Sequence, residues 1–218
     1  MPNDEQTRIV PVIGLTGGIA AGKTTVSRML ARQGAHVIDA DKLGHEAIAP
    51  AGIAYPEIIV RFGTGILNDD GTISRPKLAN IVFSDAEALR VLNSISHPLI
   101  AGQMKREINR VRARATGDST PCILLDAAIL FETGWNSLCD VTWAVHSTPE
   151  RARDRLIVRN KMSPEDADAR MAAQMNNEQR AAKVDSVIYN DGTFEELETQ
   201  VRNLWEKVIS ISWKKPAK

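Results

Sequence analysis

Five short apolar runs punctuate the chain, separated by longer stretches with helical periodicity. They are "RIVPVIGL" from Arg8, "AHVID" from Ala35, "PCILLD" from Pro121, "CDVTWAV" from Cys139 and "DSVIYN" from Asp185. "VIGL" and "ILLD" are apolar without alternation, as expected of strands covered on both faces. Strands alternating with helix-length segments predict a parallel sheet wrapped by helices, an α/β fold.

One interval is too long for a single crossover. Between Asp41 and about Thr120 no strand pattern occurs, only helix-like stretches, "DAEALRVLNSISH" and "PLIAGQMKREINRVRARAT". This predicts either extra helical packing or an inserted substrate-binding subdomain. A second excursion, "TPERARDRLIVRNKMSPEDADARM", follows the fourth run and is rich in arginine. The final pattern, "TFEELETQVRNLWEKVIS", reads as a structural helix capped by Thr193. The tail "WKKPAK" is expected to be loose.

The 218 residues carry a formal net charge of zero, so no global field draws in nucleic acid or an anionic membrane. Hydrophobic residues make up 43% and charged residues 25%, ordinary for a soluble enzyme. The opening "MPNDEQTR" does not resemble a signal peptide, and no run of eighteen apolar residues occurs. Cys122 and Cys139 form neither a disulfide framework nor a metal site at that spacing, so buried, inert thiols and a cytoplasmic setting are expected.

The first run leads into Gly17-Gly18-Ile19-Ala20-Ala21-Gly22-Lys23-Thr24, which fits G-x-x-x-x-G-K-[ST] at every required place. An amphipathic segment, "KTTVSRMLARQG", follows it. Glycines let backbone N–H groups turn onto phosphate oxygens at the positive end of a helix. Lys23 would reach the β- and γ-phosphates of a nucleoside triphosphate, and the Thr24 hydroxyl would hold Mg²⁺. The bland alternative is a glycine-rich turn beside an exposed lysine.

Such a loop does not by itself choose among a GTPase, a motor ATPase and a small-molecule kinase. The nearest string to a guanine signature is "NKMS" at Asn160, which lacks the aspartate. "ILLDAAILFE" ends its strand at Asp126 with no adjacent glutamate. Small size and two excursions favour a kinase with an acceptor domain and a lid. Arg151, Arg155 and Arg159 recur every four residues, giving one cationic helical face suited to a migrating phosphoryl group. A solvated face paired with Glu150 and Asp154 is the alternative.

Six strings, in order, resemble the dephospho-CoA kinase family. The most specific is "LTGGIAAGKTTV" followed by "GAHVIDADKLGHEA". "DGTISRPKLANIVFSD", "LNSISHPLI", "LLDAAILFETG", "RLIVRNKMS" and "VDSVIYNDG" support it, and together they run from about Val12 to about Glu206. The resemblance implies a P-loop core over 8–41, 120–148 and 166–212, a helical CoA subdomain over 42–119 and a lid over 149–165. It implies ATP and dephospho-CoA as partners, Mg²⁺ as cofactor, and phosphorylation of the ribose 3′-hydroxyl. A monomer or small homo-oligomer is expected.

Carried over by position, the family's phosphate loop falls on Gly17 to Thr24 with Thr25 beside it. Its acceptor aspartate is Asp41, whose alternative reading is a cap on a helix beginning at Lys42. Asp39 would join the magnesium shell. His45, Arg75 and His97 would contact the acceptor, Arg155 and Arg159 are the lid arginines, and Asn190 lies close to the adenine. The chain departs from the family pattern at Ala20-Ala21, at Ala128-Ile129 and at Asn160. Two rivals remain: a nucleoside monophosphate kinase, which would leave Asp41 idle, and a nucleotide-binding regulator that transfers nothing.

Overall fold

A computed structural model of the protein describes residues 10–114 and 120–211. The outer ends of the first strand pattern and of the expected core and CoA boundaries (8, 119 and 212) lie outside the described residues, as does the "WKKPAK" tail. Five strands form one sheet: β1 (Val12–Gly17), β2 (His36–Asp39), β3 (Ile123–Asp126), β4 (Val141–His146) and β5 (Ser186–Tyr189). Their order is β2-β3-β1-β4-β5. β1 pairs with β3 and with β4, and β4 with β5, all in parallel. Each expected strand is present at its predicted place.

β1 is central and buried at all six positions, which is why its sequence does not alternate. Register puts Leu15 opposite Asp126, Gly17 opposite Val145 and His146 opposite Tyr189, so the carboxyl ends of four strands finish at one edge. Open α/β sheets build their sites at that edge.

Helix α1 (Lys23–Arg32) buries Val26, Met29 and Leu30 on one face. These join Ile13, Leu15, Trp143, Val145 and Ile188 from the sheet and Leu197, Val201 and Val208 from the final helix, α9 (Phe194–Ser210). Each large apolar side chain buried this way contributes roughly 1.5–3 kcal/mol. The final helix starts on a capping box in which Thr193 and Glu196 satisfy each other's backbone N–H groups. Cys122 is buried and Cys139 half-buried; both thiols are free, and burial pushes each up to about 12.

Asp39–Glu107 forms a second compact unit, and the described residues on either side form the first. The second unit contains α2 (Ala40–Ala47), α3 (Tyr55–Phe62) and α4 (Arg75–Ser84), together with most of α5 (Ala86–Arg114). Leu67 and Ile73 make an isolated antiparallel bridge, and the Tyr55 hydroxyl donates to the Gly71 carbonyl. The end of α5 packs with the sheet. Arg112 Nε donates to the Val10 carbonyl at 2.9 Å, and its Nη2 donates to Asp140 at 2.8 Å.

The two helical stretches read on either side of His97-Pro98 are one 29-residue helix. Proline removes one i→i−4 hydrogen bond. A buried row, Ile95, Ile100, Met104, Ile108 and Val111, holds the helix together across that gap. After β4 come α6 (Pro149–Asn160), α7 (Pro164–Ala172) and α8 (Asn177–Ala181). Lys161 ends α6 in the left-handed region at φ 51°, and Ser163 caps α7. No described helix is long and apolar enough to cross a membrane.

Candidate active site

The loop between β1 and α1 turns back on itself, with the Ala21 N–H donating to the Gly18 carbonyl at 3.1 Å. Ala20 sits at φ 59°, in the left-handed region. That conformation costs a residue with a Cβ roughly 1–2 kcal/mol, so the departure at Ala20 is a strained position. Gly22 has φ 107°, and a Cβ there would lie 2.1 Å from Asn190 Nδ2. Only glycine fits.

Lys23 is the first residue of α1. Its ammonium is paired with the Asp126 carboxylate, and the two side chains are only 15% and 9% exposed. The strand-end aspartate read as incomplete evidence for a second motif is thus the partner of the loop lysine. Thr24 is exposed on the first turn, and Thr25 N–H donates to the Gly22 carbonyl at 2.9 Å. Ile19 N–H donates to Gln174 Oε1 at 2.9 Å.

Asn190 follows β5 and braces the loop, its Nδ2 donating to the Ala21 carbonyl at 2.8 Å. Arg155 Nη2 donates to the Asn190 carbonyl at 2.9 Å, and Nη1 to Ser147 Oγ at 3.1 Å. Ser147 Oγ and Thr148 N–H both donate to Asp191 Oδ1 at 2.8 Å. Burial raises the Asp191 carboxyl, but these bonds outweigh it and hold the group below its ordinary value. Arg155 is therefore tied to the sheet edge. Arg159 is exposed and donates to its neighbour Asn160 at 2.9 Å, while Arg153 forms an ion pair with Asp168 on α7 at 2.6 Å.

A cavity of about 460 Å³ opens beside the loop. Gly18, Ile19 and Ala21 line it together with His146, Ser147 and Arg180. This size suits a small-molecule ligand. Of these wall residues, His146, Ser147 and Arg180 were not singled out in the sequence; a lone histidine or arginine in a helical excursion gives no motif.

In the second unit, Asp39 is the N-cap of α2, its Oδ1 accepting from Lys42 N–H at 3.0 Å. The helix begins two residues before the expected Lys42, so capping belongs to Asp39 and leaves Asp41 exposed in the first turn. His45 is exposed in the last turn of α2, and Arg75 is exposed at the start of α4. His97 is half-buried in α5, and burial lowers its basicity.

Comparison with known proteins decides the family. The dephospho-CoA kinase family profile matches residues 11–196. The chain belongs to the dephospho-CoA kinase family. A dephospho-CoA kinase from Geobacter sulfurreducens is 43% identical over 197 residues, covering 90% of this chain and 98% of the relative. Another, from Carboxydothermus hydrogenoformans, is 40% identical over 207 residues, covering 95% and 98%. Among solved structures, TT1252 from Thermus thermophilus superposes with a TM-score of 0.77 at 30% identity, covering 92% of this chain and 98% of that one. A Campylobacter jejuni dephospho-CoA kinase gives 0.67 at 23% identity, covering 90% and 96%, and so speaks for the fold. Membership in the dephospho-CoA kinase family makes the chain a kinase.

Proposed function

We propose that the chain carries out the reaction of its family, the ATP-dependent phosphorylation of dephospho-CoA that completes coenzyme A biosynthesis. The observation that carries this reading is the glycine loop at the sheet edge, with Lys23 beside Asp126 and a ligand-sized cavity next to it. In this reading the first unit holds the donor. Backbone N–H groups of Gly22, Lys23 and Thr24 take the phosphates of ATP, and the start of α1 favours their charge. Lys23 exchanges Asp126 for the β- and γ-phosphates. Asn190 keeps the loop in shape, and Arg155 and Arg159 supply positive charge on the lid side.

Mg²⁺ suits this site because it needs only one or two protein oxygens besides phosphate and water. The Thr24 hydroxyl and the Asp126 carboxylate would hold it. Bound there, the ion would neutralise charge on the phosphates.

The second unit holds the acceptor. Asp41 receives the ribose 3′-hydroxyl, orients it and accepts its proton as the oxygen bonds to the γ-phosphorus and ADP leaves. His45, Arg75 and His97 contact the rest of the acceptor. The test is ADP release with dephospho-CoA against a panel of nucleoside monophosphates. Release with dephospho-CoA alone is expected; release with a monophosphate instead would overturn the reading.

A further inference from the structure

Arg180 is among the most enclosed side chains in the described structure, 2% exposed, and it is a cation. Nη2 donates to the Met175 carbonyl at 2.7 Å. Nη1 is buried and has no hydrogen-bond partner. Among the described residues no carboxylate reaches ion-pair distance of it; Glu132 acts on it only through space. A guanidinium cannot shed its proton in a protein, so this is a buried charge without an ion-pair partner. Leaving a buried charge unpaired is strongly destabilising, by far more than a surface ion pair gains.

The location of that charge is specific. Arg180 lines the cavity beside the loop, and a methyl group built on Gly18 would stand 3.5 Å from Nη1. Asn177, whose Oδ1 is 3.9 Å from the same point, donates its amide to the Ser147 carbonyl at 2.8 Å. His146, also buried and on the cavity wall, has an Nε2 without a partner. Burial, then the charge of Arg180, lowers the basicity of that imidazole, with Asp191 opposing. The only acidic wall residues are Glu178, which is exposed, and Asp191, already engaged by Ser147 and Thr148. The buried side of the cavity thus carries an excess of positive charge at the first turn of a phosphate-binding loop.

We propose that Arg180 is a phosphate-binding residue, its Nη1 donating to a phosphate oxygen of the nucleotide seated on the loop. The nucleotide supplies the missing counter-charge, and the bond is charge-assisted. Arg180 lies outside the arginine-rich helix, and neither the motif nor the spacing of the lid arginines points to it. The inference rests on the loop's being the ATP site.

The experiment compares wild type with R180Q and R180M. R180Q retains a donor for the Met175 carbonyl and removes the charge; R180M fills the space with an apolar chain. ATP and ADP affinities are measured by calorimetry, and melting is followed without nucleotide. ATP affinity should fall roughly 10- to 100-fold in both variants. Nucleotide-free melting should stay level or rise, because an uncompensated charge has been removed. A structural arginine would show the opposite: lower melting with unchanged affinity, or affinity lost only in proportion to lost folding. Either result overturns the proposal, as does wild-type affinity in R180Q. Absence of ATP binding in the wild type would instead refute the ATP site itself.

Discussion

Asn190 Nδ2 donates to the Ala21 carbonyl at 2.8 Å, so the residue after the last strand braces the phosphate loop across 169 positions of sequence. The same amide occupies the place where a side chain on Gly22 would go. Gly22→Ala should therefore lower unfolding free energy by about 2 kcal/mol or more, through strain at positive φ and the collision together. Adding Asn190→Ala should recover the collision and leave the strain. Urea unfolding of the two variants and wild type checks this, and no recovery in the double variant would show that the contact is not what excludes a Cβ.

The Lys23–Asp126 pair makes the loop lysine a contributor to stability as well as to chemistry. Lys23→Met should cost about 3 kcal/mol in the absence of nucleotide, because Asp126 is left buried and unpaired. Asp126→Asn in the same chain should return much of that loss, while turnover stays at least a hundredfold below wild type in both. A double-mutant cycle by urea unfolding and ADP release measures both quantities. Additive stability effects would mean that the pair contributes nothing.

Stability should fall as the solution is acidified from neutrality to about pH 5. Burial, then the charge of Arg180, lowers the basicity of His146, with Asp191 opposing; burial lowers that of His97. The unfolded chain takes up these protons near the ordinary value of 6.5 and the folded chain only below it. The unfolded state thus binds more protons in that window, and stability rises with pH through it. His146→Leu should flatten part of the slope, leaving the share of His97. An unchanged slope in urea midpoints between pH 7 and pH 5 would rule His146 out as a source.

Asp39 and Asp41 can be separated by their variants. Asp39→Ala should lower stability by about 1 kcal/mol, because it removes the N-cap of α2. Asp41→Asn should leave melting and ATP affinity in place and lower kcat with dephospho-CoA roughly a hundredfold or more. Equal turnover by Asp41→Asn and wild type would remove the aspartate from the acceptor site.

What the sequence determined by itself is what depends on neighbours along the chain. The five strands, the glycine loop entering α1 and the Thr193 capping box are set by spacings of a few residues, and each stands where its pattern predicts. The helical character of the interval after β2 was also readable, but the contact of Arg112 with Val10 across 102 positions was not. Likewise α5 continues through Pro98 because packing outweighs one missing hydrogen bond. Tertiary structure alone decided which side chains face the loop. Lys23 meets Asp126 from 103 residues away, and Arg180 comes to lie over Gly18 with a buried, unmatched charge. Burial, charge compensation and the shape of a cavity are properties of pairs brought together by the sheet, and no local spacing encodes them.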